Sequence, residues 1–179
     1  MKLKYEAGDA QVGYDYVIKQ FTTGDNILNV DVVMCIDVTG SMSEIINTVK
    51  TNAMSFYDIF KNRCNEYGIM LQSMNTQVIA FQDINVDGDR AMMTSPTYSM
   101  PEDTYEFESF VSSLYADWGG DTPESGLEAL YNAFSKTDWG KDDGYHRQVV
   151  ILWTDAPYLI GSEYTSLTPE LVEEKWNTL

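Results

Sequence analysis

Three short runs of apolar, largely β-branched residues, each breaking off at an aspartate, restrict what this chain can fold into. They are Val30-Asp31-Val32-Val33-Met34-Cys35-Ile36, ending at Asp37; Gln77-Val78-Ile79-Ala80-Phe81, ending at Gln82-Asp83; and Gln148-Val149-Val150-Ile151-Leu152-Trp153, ending at Thr154-Asp155. Short runs without polar alternation are the pattern of strands covered on both faces. Between the first two, Ile45, Ile46, Val49, Ala53, Phe56, Tyr57 and Phe60 recur at spacings of three and four, which predicts a helix stopped by Gly68. Strand, polar turn, helix and strand form a βαβ unit, and its crossover implies a parallel sheet.

The rest of the chain continues this alternation. Asp83 to Asp89 is an acidic turn, and Ala91-Met92-Met93-Thr94 reads as a short edge strand closed by Pro96. Pro101-Glu102-Asp103 opens a second helix with Phe107, Phe110, Val111 and Leu114 inward, and its early acids suit the positive end of the helix dipole. After the loop from Tyr115 to Thr122, Pro123-Glu124 begins a third helix burying Leu127, Leu130, Tyr131 and Phe134. A charged turn from Asp138 to His146 precedes the third strand, and Pro169 to Leu179 starts a last helix. Residues 1–29 form either a leader or an edge strand through Tyr14, Tyr16 and Ile18. Residues 30–179 are read as one α/β domain, Rossmann-like and doubly wound, with helices flanking a mostly parallel sheet.

Charge narrows the function. Of 179 residues, 28 are Asp or Glu and 11 are Lys or Arg, a formal net charge of −17. Phosphate backbones and anionic membrane surfaces are bound through clustered bases, so neither is an expected partner. The acidity fits a bound cation or a basic partner, and also the plain need for solubility. No apolar run approaches the roughly 18 residues that span a bilayer, and the start lacks the apolar stretch of a secretory signal. Cys35 and Cys64 read as packing residues and not as a disulfide framework. A cytoplasmic location is expected by default.

In an open parallel sheet the C-terminal strand ends share one edge, where ligands bind. Asp37, Asp83 and Asp155 therefore converge. Asp37, Thr39 and Ser41 alternate along one turn, and Gly119-Gly120 lets backbone approach the same edge. Carboxylates packed together repel unless a positive charge compensates. Mg²⁺, or Mn²⁺ or Ca²⁺, meets that need with the hard oxygen ligands it prefers. A chain with two cysteines and one histidine is poorly equipped for zinc, copper or iron.

At this point the residues resemble a known family. Asp37-Val38-Thr39-Gly40-Ser41-Met42 is similar to the Asp-x-Ser/Thr-x-Ser signature of the metal-ion-dependent adhesion site in von Willebrand factor A domains. Gly119-Gly120-Asp121-Thr122-Pro123-Glu124 and Val150-Ile151-Leu152-Trp153-Thr154-Asp155-Ala156 resemble that family's second and third metal loops, in the same order. Ala80-Phe81-Gln82-Asp83 is similar to the bacterial intracellular branch. The resemblance implies Thr39 and Ser41 as hydroxyl ligands, with Asp37 and Asp155 holding the ion directly or through water. Of the middle loop, Asp121 is the favoured ligand and Thr122 the alternative; an aspartate there makes the site more negative than usual. The family fold usually continues with one more strand and helix, which this chain is expected to lack.

Simpler roles compete with these. Asp37, Thr39 or Ser41 alone would serve as a helix N-cap, and Asp83 reads as a loop acid near the ligands more than as a ligand. His146 is expected to be a solvated turn residue at the edge opposite the site, which argues against a Ser-His-Asp arrangement. Trp153 is expected in the core, with Trp118 and Trp139 at best rim anchors. The function expected is a non-catalytic, cation-dependent protein-binding module. It would engage a partner's Asp or Glu at the metal, inside a rim of Met42, Asp117, Trp118, Glu124 and Tyr158. The competing readings are a metal-dependent hydrolase with Glu124 or Asp83 as base, and a scaffold with a vestigial site.

Overall fold

A computed structural model describes residues 26–117, 123–140, 145–160 and 166–179. The elements are β1 (Ile27–Asp37), a 3₁₀ turn (Gly40–Glu44), α1 (Ile46–Glu66), β2 (Met70–Phe81), the single-turn α2 (Ile84–Asp87), β3 (Met92–Thr94) and β4 (Tyr98–Met100). They are followed by α3 (Thr104–Ser113), α4 (Gly126–Lys136), β5 (His146–Trp153) and α5 (Pro169–Trp176). The sheet runs β3-β2-β1-β5, with β4 also paired to β2. β1 lies parallel to both β2 and β5, while the short β3 and β4 run antiparallel. This is the expected α/β architecture, with β1 at the centre because it is the most apolar run and both its edges are paired.

Alternation along β1 divides the core. Leu28, Val30, Val32, Met34 and Ile36 face α1 and α3, where they meet Val49, Ala53, Phe56, Phe60, Phe107 and Val111. Val33 and Cys35 face α4 and α5, against Leu127, Ala129, Ala133, Phe134 and Val172. Both cysteines are buried and unpaired, as their apolar neighbours imply.

Five local expectations are corrected. β1 begins at Ile27, ahead of the strand start expected at Val30; the suggested strand at Tyr14–Ile18 lies outside the described residues. β5 is half-buried along its whole length, because among the described residues only β1 pairs with it. Tyr131 is 37% exposed, its phenol turned outward, while Leu127 and Phe134 carry the inward stripe of α4. Trp139 is no rim anchor and Trp153 is only half-buried: Trp139 packs edge-on against Trp176, its Nε1–H donating to the Ala133 carbonyl at 3.1 Å.

His146 is the fifth correction. It is the first residue of β5, with a side chain 15% exposed, and its Nε2 lies 2.7 Å from Asp31 Oδ2. Asp31 is a buried carboxylate that also accepts from Gly140 N at 2.6 Å and Asn75 Nδ2 at 3.0 Å. The pair ties the first residue of β5 to the middle of β1. Gly140 makes this possible, since a Cβ there would fall inside the His146 ring. Gly140→Ala is therefore expected to cost roughly 1–3 kcal/mol, the usual range for overpacking, in urea unfolding. The loss should shrink in a His146→Ala background; equal losses in both backgrounds would place the clash elsewhere.

Candidate functional site

Register brings the site together. Asp37 pairs with Phe81 and Ile36 with Trp153, so Asp37, Gln82 and Thr154 leave their strands at nearly the same height. The expected convergence at the C-terminal edge is present. His146 lies at the other end of β5, seven residues or roughly 23 Å from this rim, so it takes no part here.

Asp37 is fully buried. Its Oδ1 accepts from the Thr39 amide at 2.9 Å and the Thr39 hydroxyl at 2.7 Å, and its Oδ2 accepts from the Thr154 hydroxyl at 2.7 Å. Thr39 Oγ1 lies 3.1 Å from Ser41 Oγ, and Ser41 Oγ donates to Asp155 Oδ1 at 2.9 Å. The residues thus form a chain from a buried base, Asp37 and Thr39, to an exposed mouth, Ser41 and Asp155. Thr154 was not anticipated as part of it; its place directly before Asp155, abreast of Asp37, was the available signal.

The protons in this chain can be counted. Thr39 and Ser41 carry one hydroxyl proton each, and each has a carboxylate acceptor within 2.9 Å. Charged acceptors win over neutral ones. Both protons therefore point outward, to Asp37 and Asp155, and the 3.1 Å contact between the hydroxyl oxygens brings lone pairs together. The site has an electron-rich centre.

Other loops frame it. Asp117 N donates to the Val38 carbonyl at 3.0 Å, and Gln82 Nε2 donates to the Asp117 carbonyl at 2.7 Å, tying three segments together. Asp83 is buried and caps α2, accepting from Asn85 N at 2.8 Å. Ser125 Oγ accepts from Ile84 N at 2.8 Å and so docks α2 near the start of α4.

Two rim expectations fail. Met42 is completely buried against the α1 face, because the 3₁₀ turn rolls its side chain inward. Glu124 is 4% exposed, held by a backbone bridge to Tyr158 in which Glu124 N donates to the Pro157 carbonyl at 3.0 Å and Leu159 N donates to the Glu124 carbonyl at 2.8 Å. Asp117 and Tyr158 are exposed as expected. Trp118, Asp121 and Thr122 lie outside the described residues.

Electrostatics reflect the crowding. Burial pushes the Asp37 carboxyl up and Asp155 adds to this, while hydrogen bonds from Thr39 and Thr154 pull it back. Burial also raises Glu124, helped by the charges of Asp37, Asp83, Asp155 and Asp87, to about 7. Among the described residues its buried Oε2 has no hydrogen-bond partner. Among the described residues no three His, Cys, Asp or Glu side chains converge to hold a metal ion by themselves, so any ion here depends on the hydroxyls.

A family model of the von Willebrand factor A domain matches residues 31–158. Among solved structures, the chain is similar to the pilus adhesin SpaC from Lactobacillus rhamnosus GG, at 18% identity and a TM-score of 0.52, over 73% of this chain and 16% of that one. The open conformation of the same adhesin matches at 17% identity and a TM-score of 0.49, over 70% and 15%. This chain thus corresponds to about a sixth of the adhesin's length, and the likeness concerns the fold. No curated protein sequence matches.

The pH dependence of the site follows from Glu124. Unfolded, it loses its proton near pH 4.5; folded, it keeps it to about 7. Folding takes up a proton in that window, so stability falls as pH rises through it, by on the order of 2–3 kcal/mol in total. Glu124→Gln should flatten this slope in melting curves taken in EDTA between pH 5 and 8.5, with a gain of a few degrees above pH 8. An unaltered slope would assign the effect to other groups.

Because the family model matches residues 31–158, well over half of its length, the chain belongs to the von Willebrand factor A domain family.

Proposed function

We propose that this domain is a protein-binding module that uses a divalent cation, Mg²⁺ or else Mn²⁺ or Ca²⁺, and does not catalyse a reaction. The observation that carries this reading is the Thr39–Ser41 contact, two hydroxyl oxygens 3.1 Å apart whose protons are drawn to Asp37 and Asp155. Hard cations seek such oxygens. Glu124 Oε2, which has no hydrogen-bond partner among the described residues and is held among Asp37, Asp83 and Asp155, is a second sign that positive charge is wanted here.

Thr39 and Ser41 would hold the ion, with Asp155 at the mouth, Asp37 polarising Thr39 from beneath, and Asp121 or Thr122 contributed by the middle loop. Bound there, the cation supplies charge and an open position for an oxygen donor. Asp117 and Tyr158, exposed on loops beside the mouth, together with Trp118 would meet the partner around it. The partner's donor is read as an Asp or Glu side chain. The SpaC match, to a pilus adhesin, agrees with an interaction role. Among the described residues no helix is long and apolar enough to cross a membrane. The two buried, unpaired cysteines suit a reducing compartment, and a cytoplasmic, bacterial setting is the reading adopted.

One observation favours a hydrolase as the second reading: a carboxyl raised to about 7, Glu124, is tuned as a general base would be. Its burial at 4% exposure works against direct contact with substrate. Turnover of generic phosphate or peptide substrates with Mn²⁺, lost in Glu124→Gln, would establish the enzyme.

The binding module makes a different demand. Mg²⁺ at a hundred times its dissociation constant should raise stability by about 2.7 kcal/mol. In Ser41→Ala, an exposed position, that increment should vanish while the melting point in EDTA stays within about two degrees of the parent. Wild-type protein that melts identically with Mg²⁺, Mn²⁺, Ca²⁺ or EDTA would refute the metal reading.

A further inference from the structure

The polar contacts of the site close into a loop, its last step being the chain itself from Asp155 back to Thr154. From Asp37 Oδ1 the path runs to Thr39 Oγ1, to Ser41 Oγ and to Asp155 Oδ1, and returns through Thr154, whose Oγ1 meets Asp37 Oδ2 at 2.7 Å. Thr154 is half-buried beneath an exposed Asp155. Its hydroxyl has one proton and two acceptors in range, Asp37 Oδ2 at 2.7 Å and the Ala156 carbonyl at 3.3 Å. The shorter, charged contact takes it. The Ala156 amide then donates back to Thr154 Oγ1 at 3.1 Å. This local turn spans Asp155 and holds it toward Ser41.

Two consequences follow for Asp37. A carboxylate offers about four lone-pair sites, and three are filled by the Thr39 amide, the Thr39 hydroxyl and the Thr154 hydroxyl. Asp37 is thereby oriented to polarise Thr39 and is largely spent as a direct ligand. Thr154 is also the group that spans from the loop after β5 to the end of β1, so it fixes how far Asp155 stands from the Thr39–Ser41 pair.

We propose that Thr154 is a positioning residue. Its hydroxyl, acting through Asp37 and through the turn to Ala156, sets the geometry and affinity of the cation site without touching the ion. The proposal rests on the metal reading above. Partners of this kind behind a metal ligand are commonly worth 10- to 100-fold in metal affinity.

The test is Mn²⁺ binding by titration calorimetry, with melting in EDTA as the control for structure. Thr154→Val keeps the shape and removes the hydroxyl; Thr154→Ser keeps the hydroxyl. The valine variant should bind Mn²⁺ at least ten-fold more weakly, and the serine variant within about three-fold of the parent. In an Asp37→Asn background the valine substitution should cost less than three-fold, because the group it acts through is altered. Should Thr154→Val fail to melt cooperatively, Thr154→Ala takes its place in the same comparison. Wild-type binding with valine and alanine variants at parental affinity overturns the role of Thr154 and leaves the metal reading standing. A wild-type chain that takes up no Mn²⁺ overturns both.

Discussion

The parallel pairing of β1 with β2 on one side and β5 on the other is the constraint from which the remainder follows. It aligns Asp37 with the ends of both neighbours, so that groups more than a hundred residues apart in sequence meet at hydrogen-bonding distance. A slip of one residue would send Asp37 to the opposite face, since side chains alternate with a period of two. The apolar alternation of β1 guards against this. Its even-numbered residues suit the α1 face and its odd-numbered ones the α4 face, and neither set can be exchanged without burying Asp31 and Asp37 against the wrong helices.

Polar groups inside this sheet are concentrated at its two ends. At the C-terminal end they are incompletely neutralised: Asp37 is satisfied, but Glu124 retains a buried oxygen without a partner among the described residues. At the other end Asp31 has Asn75, Gly140 and His146 around it. The contrast separates the two regions by role. A buried carboxylate with both oxygens hydrogen-bonded, as in Asp31, anchors structure, whereas carboxylates crowded without a counter-charge are arranged for something that arrives from outside.

Much of this could be read in the sequence, for identifiable reasons. Strand cores such as Val32–Ile36 and the stripe Val49, Ala53, Phe56 and Phe60 are periodic, and periodicity survives into structure. The convergence of Asp37, Ser41 and Asp155 followed from the rule for parallel strand ends. What was misread depended on local rotation or on partners distant in the chain. Met42 stands next to the exposed Ser41, and only the 3₁₀ geometry turns it inward. Glu124 looked like a helix-opening acid at the surface; the backbone bridge to Tyr158 submerges it. His146 sat in a charged stretch, and nothing in its neighbourhood announced Asp31, 115 residues away. Thr154 carries no signal of its own, since its partner Asp37 lies 117 residues away.

The surplus of acid at the C-terminal rim has a consequence for what such a surface can recognise. Asp37, Asp83, Asp87, Glu124 and Asp155 all bear on one small volume, and a single divalent ion supplies only two positive charges against them. On the proposed reading the loaded mouth therefore stays anionic, and an approaching acidic side chain would be pulled by the ion yet repelled by its surroundings. Selection would then fall on sequences in which that acid is flanked by lysine or arginine, an alternation of signs that a uniformly acidic surface would fail to provide.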